Sequence, residues 1–240
     1  MKKNLLILLL VFSIGNVLGQ KEEHLSGFST LSLTYKFNKK WYVYGELQAR
    51  SIADLTTVDY YEVKGGSGYN INSSNQAFLG LGRYANYREK SISNEELRFW
   101  LQYTYAKTIG RVKFENRMRG EKRLFHNPIT GINTNTERYR DRINVIIPIN
   151  NKKVDANTFF VNAYDELFLG PDNPVIKRNR MYAGGGYQLS KDFGVSLGYL
   201  FQRDFGLKTN TNLHFIFCGL NFTIDKSNSA PVEAPTPDHD

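Results

Sequence analysis

The sequence predicts an all-β fold, a transmembrane antiparallel up-and-down β-barrel of about 10–12 strands. Three observations lead there. Apolar and polar residues alternate with a period of two, the alternating segments are long, and the links between them alternate between short and longer. No window shows a helical stripe.

Leu31, Leu33, Tyr35 and Phe37 alternate with Ser32, Thr34 and Lys36. Trp41, Val43, Gly45, Leu47 and Ala49 alternate with Tyr42, Tyr44, Glu46, Gln48 and Arg50. Leu97, Phe99, Leu101, Tyr103 and Tyr105 form the clearest such face, followed by Tyr139, Ile143, Val145 and Ile147 and by Val195, Leu197, Tyr199 and Phe201. The segments fall at 27–37, 41–50, 58–69, 77–87, 95–106, 111–125, 136–149, 154–168, 177–189, 195–203 and 212–224. Strands of soluble proteins average about 5–6 residues, whereas a tilted membrane-crossing strand needs about 9–11. Most of these segments have the longer length.

Short links are expected at 38–40, 70–75, 107–110, 150–153 and 190–194, and longer ones at 51–57, 88–94, 126–135, 169–176 and 204–211. Outer-membrane barrels have short turns on one side and longer loops on the other. Aromatic residues stand near the segment ends, Phe37 and Trp41 on one side and Tyr60, Tyr84, Phe125 and Phe205 on the other, as interfacial girdles would. Eleven segments conflict with the even count usual for this class. Twelve strands are preferred, with a short extra strand within residues 20–30.

The ends of the chain bear on its destination. Residues 1–19 have Lys2 and Lys3 before an apolar run from Leu5 to Ile14, with Val17 and Gly19 before a cleavage point. That is the pattern of a signal peptide, and the run is too short to span a bilayer. Residues 20–224 are expected to form the barrel, and residues 225–240, rich in Pro, Ser and acids, a disordered tail. The 31 basic residues exceed 23 acids by eight; removing Lys2 and Lys3 leaves a net +6. Export to a cell outer membrane argues against a nucleic-acid partner for this positive charge. Outer-membrane lipids and the machinery that assembles barrels are the expected partners. The single Cys218 excludes an intrachain disulfide framework.

If the apolar face meets lipid, the alternate face meets the lumen. Arg111, Lys113, Glu115, Arg117, Arg119, Glu121 and Arg123 share that face, and Arg138, Arg140 and Arg142 follow on the next segment. Glu46, Arg50, Glu96, Arg98, Glu166, Arg178 and Arg180 have matching positions. A cation at the bilayer midplane costs about 2–4 kcal/mol, so these groups require water or one another. They are expected to form a lumen charge network, either as a wall of Arg–Glu pairs or as an anion-attracting conduit.

No catalytic site and no cofactor or metal site is expected. His24, His126, His214 and His239 lack ligand spacing, and His214 and Cys218 would stand about 13 Å apart along a strand. Lys64-Gly65-Gly66-Ser67-Gly68 lacks the spacing of a phosphate loop; its glycines, like Gly184 to Gly186, suit strand curvature or interior packing.

The stretch Phe114-Glu115-Asn116-Arg117-Met118-Arg119-Gly120-Glu121-Lys122-Arg123 resembles the Arg-x-Arg-x-Glu strand of an uncharacterised bacterial outer-membrane family, domain of unknown function twenty-four-ninety. Arg140-Asp141-Arg142 before Pro148, Tyr164-Asp165-Glu166-Leu167-Phe168 and Asn179-Arg180-Met181-Tyr182 through Gly186-Tyr187 extend the resemblance. So do Gly198-Tyr199 with Gln202, and Asn212 with His214. The resemblance implies an outer-membrane barrel and no established activity. The chain departs from it by continuing past Phe222, which leaves open the residue that signals assembly. The functional expectation is a structural or transport-related, porin-like barrel of a two-membrane (Gram-negative) bacterium, such as a small anion-preferring channel. The alternatives are a lipid-modifying barrel enzyme and a soluble periplasmic ligand-binding barrel.

Overall fold

A computed structural model describes residues 25–51, 55, 57–88 and 91–227. The expected signal peptide, His24, His239 and residues 228–240 of the expected tail lie outside the described residues. The described chain consists of β1 (Leu25–Lys36), β2 (Trp41–Arg50), β3 (Tyr60–Asn70), β4 (Asn75–Arg88), β5 (Ser91–Ile109), β6 (Val112–His126), β7 (Asn133–Pro148), β8 (Thr158–Leu169), β9 (Ile176–Gln188), β10 (Phe193–Asp204) and β11 (Thr211–Asp225). Each strand pairs with its sequence neighbour in antiparallel fashion, and β1 and β11 close the sheet into a barrel.

The strand count corrects the expected twelve to eleven among the described residues. An odd number of strands in alternating directions leaves the first and last pointing the same way, so closure is parallel. Leu25 stands opposite His214, and the register continues to Lys36 opposite Asp225. Residues 25–30, where the extra strand was expected, are the first half of β1. The chain therefore enters β1 at one end of the barrel and leaves β11 at the other. Ser32 donates to Asn221 (2.8 Å) and Lys36 Nζ reaches Asp225 (2.8 Å) across the seam.

The links alternate in length less regularly than expected. At the end where β1 finishes they are residues 37–40, 71–74, 110–111, 149–157 and 189–192; at the other end they are 51–59, 89–90, 127–132, 170–175 and 205–210. The link expected at 88–94 shrinks because β4 and β5 continue pairing to Arg88 opposite Ser91, past a register shift at Asn86/Tyr87. The link expected at 150–153 grows because Asn150 and Asn151 hold it open, donating to Asn157 O (2.8 Å) and Thr158 Oγ1 (2.7 Å). Gly110, with φ +63°, makes the two-residue turn between β5 and β6, a conformation that costs a residue with a side chain.

Alternation sorts the side chains as the period of two requires. Leu31, Leu33, Leu97, Phe99, Leu101 and Leu197 are exposed on the outer face, whereas Trp100, between Phe99 and Leu101, is buried inside. Aromatic pairs ring the outer face near the end where β1 finishes: Tyr35 with Phe37, Trp41 with Tyr69, Phe159 with Tyr187 and Phe193 with Phe222, with centroids 4.3–4.9 Å apart. The second expected girdle is corrected. Tyr60, Tyr84 and Phe125 point into the barrel, because each shares the parity of the charged face, and Arg50, Arg98 and Arg123 lie over their rings. On the outer face near that end stand Tyr61 and Tyr87, in contact at 5.5 Å.

The interior has two walls. On β1 and β8–β11, Phe28, Tyr182, Leu200 and Phe215 form an apolar cluster with Tyr164, Leu213 and Phe217 packed on it. Further aromatic rings lie flat across glycines of the neighbouring strand. A Cβ on Gly68 would come within 2.0 Å of the Tyr42 ring, and one on Gly80 within 2.1 Å of Trp100. For Gly68 this is the interior packing expected of the glycines at 65–68; Gly80 does the same on β4. The other wall, β2–β8, is charged.

The charged lumen as candidate functional site

Thirteen of the fourteen residues expected in the charge network line one interior cavity of about 1140 Å³: Glu46, Arg50, Glu96, Arg98, Glu115, Arg117, Arg119, Arg123, Arg138, Arg140, Arg142, Glu166 and Arg180. The fourteenth, Glu121, lies just behind the lining with its side chain fully covered by arginines. Arg111 lies in the β5–β6 turn instead and donates to Ile149 O (3.0 Å) and Asn151 O (2.9 Å).

Three glutamates organise the wall. Glu96 receives bidentate pairs from two sides, Arg98 (2.7 and 2.8 Å) on its own strand and Arg123 (2.7 and 2.9 Å) on β6. Glu121 accepts from Arg138 Nε (2.7 Å) and Arg140 Nη1 (3.0 Å), with Arg119 3.6 Å away. Glu166 accepts from Arg140 Nη2 at both oxygens (2.8 Å) and from Arg117. Register explains the convergence. Arg117 stands opposite Arg142 and Arg119 opposite Arg140 across β6/β7, while Glu166 stands opposite Arg142 on β7 and Arg180 on β9. Bidentate charge-assisted pairs of this kind are the strong ones, and they fix the geometry of both partners.

Aromatic rings also face the arginines, both those that hold carboxylates and those that do not. The buried Phe168 ring has Arg138, Arg140, Arg178 and Arg180 over it at 4.4–5.6 Å. Phe28 carries Arg50 (4.4 Å) and Arg180 (5.6 Å), and Trp100 carries Arg119 (4.9 Å). Arg119 and Arg180 each donate twice to a glutamine, Gln102 (3.0 and 2.6 Å) and Gln202 (3.2 and 2.6 Å).

A profile of the DUF2490 family, described as a protein of unknown function, matches residues 26–212, from the second residue of β1 into β11. The chain belongs to the DUF2490 family. No curated protein matches it. Among solved structures, a NanC porin in a rhombohedral crystal form superposes with a TM-score of 0.46 at 11% identity, covering 73% of this chain and 85% of its own. A likeness that distant carries no argument about function.

In this DUF2490 barrel, sequence reasoning missed several charged residues of the lining, among them Glu62 and Lys64. Lys64 Nζ pairs with Glu46 (2.6 Å) and with Glu62, and Glu62 also accepts from Tyr60 (2.7 Å). Their parity with Tyr60 was a usable signal, hidden by the adjoining glycines. Among the described residues no group of three or more His, Cys, Asp or Glu could hold a metal ion. His126 Nδ1 meets Asn133 Oδ1 (2.8 Å), His214 meets the Tyr199 hydroxyl, and Cys218 is an exposed free thiol.

Proposed function

We propose that the chain is an outer-membrane barrel whose lumen conducts small solutes and prefers anions. The observation that carries this reading is the cavity. Its lining includes Tyr42 and Phe160 near the end where β1 finishes and Asp172, Lys177 and Asp204 near the other. Twelve lysines and arginines line it against eight carboxylates, nine with Glu121. An uncompensated positive lining attracts anions and repels cations, as charged rings do in pores.

The exposed leucines and aromatics that recur on strand after strand of the outer face support a lipid surroundings over a water-facing periplasmic barrel. The signal-peptide pattern of residues 1–19 supports export. The test is a planar-bilayer recording of the refolded full chain under a salt gradient. A reversal potential toward that of the anion supports the reading. A correctly folded barrel that passes no current would replace it with a purely structural wall of Arg–Glu pairs.

A further inference from the structure

The arginines of the wall differ in how well they are answered. Arg98, Arg123, Arg138 and Arg140 each hold a carboxylate, and Arg178 holds Asp204 (2.5 and 2.8 Å). Arg142 is different. Among the described residues it makes no ion pair and donates no side-chain hydrogen bond, and its Nε is buried without a partner. Its guanidinium carbon lies 5.2 Å from the Tyr164 ring, and the Glu166 and Glu115 carboxylates act on it only through space, without a hydrogen bond. A guanidinium has five N–H donors in a fixed fork, matched to the oxygens of a carboxylate or phosphate.

The surroundings of Arg142 deepen the mismatch. Arg117, directly opposite on β6, also has a buried Nε without a partner, and its Nη2 shares Glu166 with Arg140. One carboxylate therefore stands among three guanidiniums. Another carboxylate of the wall, Glu115, is taken up by Lys113 (2.7 Å) and by the Asn144 amide (2.8 Å). Asn144 in turn accepts from Asn162 (2.5 Å), so polar amides line the wall beside the pair. All of these side chains except Lys113 face the same cavity.

We propose that Arg142 and Arg117 form a binding site for an oxyanion, a carboxylate or phosphate group that enters from the lumen. The oxyanion takes up the unused donors of Arg142 and supplies the charge that Glu166 alone does not. The site rests on the reading of the lumen as open to solutes, and it adds a chemical class: oxyanions are held there, whereas a spherical halide only passes. Tyr164 holds the Arg142 fork in place and does not contribute charge.

The test is calorimetric titration of the refolded full chain, at constant ionic strength in chloride, with inorganic phosphate in one arm and acetate in the other. Saturable binding of at least one of the two is expected. It should weaken by about tenfold or more in Arg142→Gln, as loss of a charge-assisted pair requires, and stay unchanged in Arg178→Gln, whose arginine already has a carboxylate. Arg142→Gln breaks no ion pair in the structure, so the barrel should fold, and its heat-dependent gel mobility checks that. Absence of saturable binding of both anions to the folded barrel would overturn the site, as would binding indifferent to Arg142→Gln. A barrel that conducts anions but binds neither probe defeats the site alone. One that binds but carries no current defeats the conduit alone.

Discussion

Glu166 has one carboxylate for two bound arginines and almost no exposure. Replacing it by Gln leaves Arg117 as a buried charge without its counterion and Arg140 with Glu121 alone, and removing one partner of a buried pair typically costs about 3–5 kcal/mol. Glu166→Gln should therefore lower barrel stability by that order in a urea titration followed by intrinsic fluorescence. The exposed Lys36–Asp225 pair at the seam makes the opposite case. Both side chains meet solvent, and Lys36→Ala should cost no more than about 1 kcal/mol in the same titration, with less effect at high salt. Phe168 tests the role of the rings. Phe168→Ala removes the surface on which four guanidiniums lie and opens a cavity, with an expected loss of about 3–5 kcal/mol, whereas Phe168→Leu should recover much of it. Equal losses in the two variants would show that the ring's face, and not the volume it fills, carries the stability.

Strand parity decides which features of each element could be read in advance. Leu97 to Tyr105 on β5 and Arg117 to Arg123 on β6 sort cleanly because a period of two allows only two faces and the residue types differ sharply between them. Tyr60, Tyr84 and Phe125 sit inside because parity, which the backbone enforces, outranks position near a strand end. Partners were not legible: which arginine meets Glu121 or Glu166 depends on register across strands, and a single sequence does not state it. The odd count behind the parallel closure is legible in the alternation, which shows eleven segments; the even number usual for such barrels is what points away from it.

Glycine positions on the strands give a paired prediction. Gly80→Ala drives a Cβ into Trp100 and should cost about 1–3 kcal/mol, whereas Gly45→Ala, whose Cβ would meet nothing within 4 Å, should stay within about 0.5 kcal/mol. The outer face of β6–β9 supplies another. Asp141 and Asp165 stand near the middle of β7 and β8 among Met118, Ile143, Leu167 and Met181, each held by one asparagine: Asn116 (2.6 Å) and Asn179 (2.5 Å). Polar groups at this depth are costly if lipid surrounds them. The double replacement Asn116→Leu with Asp141→Leu should raise the unfolding midpoint in lipid vesicles, by up to about 2 kcal/mol in stability. No change, or a loss, would indicate that this face does not meet hydrocarbon.

At the scale of the whole molecule, the barrel combines an apolar exterior, an aromatic interior wall and a charged wall with more cations than carboxylates. The pairs that brace the charged wall also narrow the lumen, so stability and passage are set by the same side chains. Glu96 and Glu121 tie arginines back to the wall, and the cavity is the space left over. Reversing the balance of charge should reverse the preference without emptying the lumen. The central claim is that this leftover space is a continuous anion-preferring path, and ion selectivity of the refolded full chain in a planar bilayer tests it most directly. Steady current steps with a reversal potential toward the anion, shifted toward neutrality when Arg142 and Arg180 are both changed to Gln, are the predicted result. A folded barrel that is silent, or that prefers cations, would contradict it.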